Sequence, residues 1–87
     1  MRYVNDDEAE VMFDLRLTLV EAGAFVRFEQ EMIAKDVVRT VRGFLRDPSA
    51  YTRRDVEHLV RHFEITGSPL SEAIRSRLGR CKKEEYA

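Results

Sequence analysis

Residues 11–29 read VMFDLRLTLVEAGAFVRFE. Val11, Phe13, Leu15, Leu17 and Leu19 alternate with Met12, Asp14, Arg16, Thr18 and Val20. A period of two with one wholly apolar face is the pattern of a half-buried strand. Gly23 lies in Glu21-Ala22-Gly23-Ala24 and can take a turn conformation. Beyond it Val26 and Phe28 oppose Arg27 and Glu29. The stretch is therefore expected to form a β-hairpin of residues 11–20 and 25–29. Helix is the rival reading, since Val11, Leu15, Leu19, Ala22 and Val26 also fall at helical spacing and Leu is a good helix former. That helix would leave Phe13, Leu17 and Phe28 on a second face.

Outward from this stretch the period changes. Ile33, Ala34, Val37, Val38, Val41, Phe44 and Leu45 make one broad helical stripe from about Glu31. Asp47-Pro48 ends it. Thr52 stands before Arg53-Arg54-Asp55 as an N-cap does, with Asp55 in the capping-box position. Val56, Leu59, Val60 and Phe63 supply the buried stripe of the next helix. A break is expected at about residues 65–68. Ser68 then reads as an N-cap, Pro69 as a first-turn residue and Gly79 as a C-cap. Leu70, Ala73, Ile74 and Leu78 face inward, and RCKKEEYA at 80–87 reads as a frayed charged tail. The fold class expected is α+β: one domain over residues 1–87, with an N-terminal hairpin and a three-helix unit at 31–80. A small all-α bundle is the fallback.

The chain has 87 residues, 44% hydrophobic and 36% charged, which fits one small globular domain and excludes a disordered chain. So short a chain builds a thin core, which makes self-association a reasonable expectation. No stretch reaches the length of a membrane span, and Asn5, Asp6, Asp7 and Glu8 are not the start of a signal peptide. Cys81 is the single cysteine, so no internal disulfide forms and a cytoplasmic setting is expected. The net charge of −1 hides an asymmetry: three Arg against eight Asp/Glu in residues 1–34, twelve Lys/Arg against six Asp/Glu in residues 35–83. A basic second half suggests a face for a polyanion; alternatively the two halves attract each other.

Residues 59–75, LVRHFEITGSPLSEAIR, meet the physical requirements of a helix-turn-helix. Leu59 and Phe63 offer the first helix's contact, Ile65 plugs the turn, and Leu70, Ala73 and Ile74 pack the second helix back. Thr66, Gly67, Ser68, Ser71, Glu72 and Arg75 are left outward. The segment resembles the helix-turn-helix of GntR-type bacterial regulators, without a gap across Leu59–Arg75. Pro69, Glu72, Ala73 and Arg75 coincide with that pattern, while Val60 and Glu64 stand where it has a small residue and a glycine. The resemblance implies binding to double-stranded DNA, with the last helix in the major groove. Arg75 is then expected at guanine and Ser68 and Ser71 at bases or phosphate. Arg53 and Arg54 are expected at phosphates, with Arg77, Arg80, Lys82 and Lys83 adding attraction that ignores sequence. The expected binding set is Arg53, Arg54, Thr66, Ser68, Ser71, Glu72, Arg75 and Arg77. Two hairpins joined edge to edge would make a homodimer with two reading heads.

LVRHFE also resembles a helix of the immunity proteins that inhibit DNase bacteriocins. The residues after it are basic and lack aromatics, so only a class carries over: a small phage- or plasmid-type protein that inhibits or adapts a larger partner. Catalysis is not expected, because no nucleophile elbow or phosphate-binding glycine loop occurs. His58 and His62 share a helix face but lack further ligands in a metal-site spacing, so no metal or cofactor is expected. Cys81 reads as a lone exposed thiol.

Overall fold

Three helices begin at a side chain that bonds back into its own first turn. The Asn5 Oδ1 accepts from the Glu8 N–H at 2.8 Å, and its Nδ2 donates to Glu8 Oε1 at 3.0 Å. Thr18 and Glu21 form a reciprocal capping box, with N–H to oxygen distances of 3.2 and 2.9 Å. Thr52 and Asp55 form a second one at 3.2 and 2.9 Å, as the spacing predicts. A computed structural model describes residues 5–83 of the chain. Its helices are α1 Asp6–Leu15, α2 Leu19–Glu31, α3 Lys35–Arg46, α4 Arg53–Thr66 and α5 Leu70–Arg75, with 3-10 turns at Pro48–Ala50 and Leu78–Arg80.

The fold is all-α among the described residues, which corrects the α+β expectation and the hairpin at 11–20 and 25–29. The Thr18–Glu21 box starts a helix inside what the alternation takes for a strand. One turn earlier, α1 closes on Arg16, which lies in the left-handed region at φ 55°. The Leu17 N–H donates to the Met12 carbonyl at 3.2 Å, and Leu17 turns into the core. The stretch is thus two helices packed against each other, neither a hairpin nor one long helix. Val11, Leu15, Leu17, Ala22 and Phe25 are buried, while Phe13, nominally on the same strand face, is 87% exposed.

The three-helix unit follows its stripes more closely. Val38, Val41, Phe44 and Leu45 of α3 are buried, and Asp47-Pro48 ends the helix. Ile33 does not join them: α3 starts at Lys35 and Ile33 stays 93% exposed in the preceding link. Tyr51 lies across Gly43, where a Cβ would run into its hydroxyl, and its ring meets Phe44 edge-on at 6.2 Å. Phe28 and Phe63 meet edge-on at 5.0 Å, which joins α2 to α4. α4 runs to Thr66, into the expected break. It ends at Gly67, φ 69°, where the Ser68 N–H donates to the Phe63 carbonyl at 2.9 Å. Ile65 is therefore no plug: it sits in the last turn of α4 and is 80% exposed. Gly79 is not the cap of α5, which ends at Arg75; it belongs to the second 3-10 turn. The segment after it is held rather than frayed, since the Lys82 N–H donates to the Tyr51 carbonyl at 3.0 Å. Residues 84–87 of the expected tail lie outside the described residues.

Gly67 is the one glycine that needs its missing side chain for backbone reasons among the described residues, and it sets how α5 leaves α4. Gly67→Ala is expected to destabilise the fold by about 1 kcal/mol, with Gly67→Asn recovering part of it. Urea unfolding followed by circular dichroism at about 222 nm, where helix absorbs, checks this ordering.

Candidate nucleic-acid interface

Helix α4 divides the candidate residues between two surfaces. One side carries Arg53, Arg54, Glu57, Arg61 and Glu64 at helical spacing. With Leu78 these line an open groove of about 580 Å³ against the C-terminal turn. Arg75 of α5 joins this side through an ion pair with Glu64, and its other terminal nitrogen lies 3.7 Å from Glu72. The Glu64 carboxylate raises the pKa of the Arg75 guanidinium above its ordinary value, with Glu72 adding to it, so the charge is fixed. The side is rich in arginine and laced with acid, so its arginines are held apart rather than left as a single positive field.

Thr66 and Ser68 lie on the other side, at a groove between α2 and α4 lined also by Phe28, Ile33, His62 and Phe63. Their hydroxyls are engaged locally. Thr66 Oγ1 donates to the His62 and Phe63 carbonyls at 3.2 Å each. Ser68 Oγ accepts from the Leu70 N–H at 3.2 Å, but α5 starts at Leu70 with Pro69 in the N-cap position and no side-chain cap, so Ser68 lies one residue ahead of its expected place and Pro69 is not in the first turn. Ser71 Oγ donates to the Ser68 carbonyl at 2.9 Å and is half-buried. Glu72 is exposed beside Arg75.

Arg77 belongs to neither surface. It is 7% exposed, and its guanidinium donates to three carbonyls: Ala73 at 2.7 Å, Leu15 at 2.9 Å and Arg16 at 2.9 Å. Burial lowers its pKa, which Glu21 partly offsets. A side chain engaged in this way cannot reach a phosphate, so the expectation for Arg77 is corrected. Position 77 falls on the core-facing stripe with Leu70, Ala73 and Ile74, and that spacing is the signal that could have found it. The basic half is also partly neutralised by the acidic half. Arg42 pairs with Glu29 at 2.5 Å and approaches Asp14 at 3.9 Å, and Arg46 pairs with the same Asp14.

His58 and His62 are both exposed. Cys81 is half-buried against the core rather than exposed. Burial pushes its thiol pKa up, against a smaller lowering by Arg53. No helix among the described residues is long and apolar enough to cross a membrane. No protein-family model matches the chain, and neither a curated protein nor a solved structure is detectably similar to it.

Two residues of this region give direct tests of the geometry. Arg77→Met leaves the Leu15 and Arg16 carbonyls without their donor, while the Ala73 carbonyl keeps the Ser76 hydroxyl, and is expected to cost about 3 kcal/mol in urea unfolding. Asp55 is held below the ordinary aspartate pKa, first by the Thr52 N–H and then by the Thr52 side chain. Its folded value is depressed, so its contribution is complete above about pH 4 and is lost as pH falls through the folded value. The gap in urea midpoint between the natural chain and Asp55→Ala is therefore expected to stay constant near neutrality and to close in acid.

Proposed function

We propose that the chain is a small DNA-binding regulator that meets phosphates through the arginine side of α4. The observation that carries the reading is the convergence of Arg53, Arg54 and Arg61 on one groove, with Arg75 tied to its edge by Glu64. The three-residue link between α4 and α5, with its left-handed glycine, supports a helix-turn-helix-like unit over residues 53–78. α5 turns Leu70, Ala73 and Ile74 inward and leaves Glu72 and Arg75 outward. Arg75 is the side chain that reads a base, and Arg53 and Arg54 stand at the start of α4, where backbone phosphates are met. A palindromic site would need two copies of the chain. A cytoplasmic setting goes with this role and with a single cysteine.

A second reading is favoured by a separate observation. Phe13, Val20, Ile33 and Ile65 are 87%, 67%, 93% and 80% exposed. Large apolar side chains left in water suit a phage- or plasmid-type interaction protein that inhibits or adapts a larger protein.

Fluorescence anisotropy with mixed-sequence duplex DNA at two salt concentrations separates the two. The first reading expects salt-sensitive binding. Arg53→Ala/Arg54→Ala/Arg61→Ala should weaken it and reduce the log–log salt slope by about one for each phosphate no longer neutralised. Arg75→Ala should weaken binding while helical content stays unchanged. Absence of binding at low salt would sink the first reading.

A further inference from the structure

The groove between α2 and α4 has a feature that its apolar lining alone does not explain. Ala24, Phe28, Met32 and Phe63 line it, and so does Ile33, which keeps 93% of its surface in water. Arg27 and Glu31 form the rim on α2, one turn apart on the same face as Ala24 and Phe28. Neither makes an ion pair among the described residues. The surface thus offers a socket, an unburied plug beside it, and one charge of each sign.

These features are complementary to themselves. We infer that the α2–α4 groove is the face on which two copies of this chain join about a two-fold axis. When two α2 helices pack antiparallel, Arg27 of one copy meets Glu31 of the other, and the same pair forms again across the axis. This register centres the contact beside Phe28. It directs Ile33 of each copy toward Ala24 of the other, where the small side chain leaves room. A two-fold interface uses the same patch twice, so a socket, its plug and both charges must all lie on one surface, as they do here. The contact also removes from water the most exposed large apolar side chain among the described residues. The arginine side of α4 lies on a different face of that helix, so self-association stands whether or not the chain binds DNA.

Sedimentation equilibrium over a wide concentration range tests the proposal. The natural chain is expected to sediment as a dimer. Ile33→Asp is expected to raise the dimer dissociation constant by about 30-fold or more. Because Ile33 is almost wholly exposed within the chain, the variant's helical content and urea midpoint at low concentration should not change. Arg27→Glu and Glu31→Arg each place like charges across the axis and are expected to dissociate the dimer. The double swap Arg27→Glu/Glu31→Arg restores both pairs and should restore association. A chain that stays monomeric at high concentration overturns the proposal, as does a dimer indifferent to Ile33→Asp. So does a double swap that fails to recover. Duplex binding by the monomeric Ile33→Asp variant is read separately, so failure here is distinguishable from failure of the DNA reading.

Discussion

The guanidinium of Arg77 ties the two ends of the fold together. It donates to the carbonyls of Leu15 and Arg16, where α1 closes, and to that of Ala73 in α5. These carbonyls lie at helix C-termini, where the partial charge is negative and the helical backbone supplies no donor; that of Ala73 has a second partner, the Ser76 hydroxyl. A buried cation is tolerated because each bond also satisfies an acceptor. The arrangement explains why α1 can end on a non-glycine left-handed residue: the Arg16 carbonyl has a partner waiting. It also makes the first helix depend on the last, so a domain with short links still closes on itself.

Internal pairing of this kind decides what remains for function. The charge asymmetry between the halves is real in the sequence, but part of it is neutralised inside the fold. Asp14 and Glu29 engage Arg42 and Arg46, and the Arg42 guanidinium also lies 5.1 Å from the centre of the Phe25 ring. The arginines that line an open groove are concentrated on one side of α4, and even there Glu57 and Glu64 alternate with them. A net-charge argument applied to residues 35–83 as a block overstates the free positive surface, because charge counting does not know which pairs fold together.

The hairpin expectation fails for a physical reason that is partly legible in the residues. Alternation over residues 11–19 is compatible with a helix whose apolar residues are simply numerous. Phe13 shows the difference, since a strand would bury it beside Val11 and Leu15 and the helix turns it to solvent. The local signal that decides the matter is Thr18-x-x-Glu21, a box of the same kind as Thr52-x-x-Asp55. A capping box satisfies two backbone donors at once, and no strand offers either bond. Similarly, the last two helices part at Gly67, because a left-handed residue is needed there and glycine adopts it without strain. The candidate binding set is legible as a list of polar side chains, but not as a surface. Thr66 and Ser68 fall on the opposite side of α4 from Arg53 and Arg54, and Arg77 falls inside.

By itself, then, the sequence determined the Thr52–Asp55 cap, most of the buried stripes of α3 to α5 and the chain breaks at Asp47-Pro48 and near Gly67, because these depend on residues within a turn of one another. Only the tertiary structure decided that Val11, Leu15 and Leu17 pack as part of a helical pair, that Arg77 is buried, and which arginines share a face. Those outcomes rest on contacts between residues far apart in the chain, such as Arg77 with Leu15 and Arg46 with Asp14, whose geometry no local period encodes.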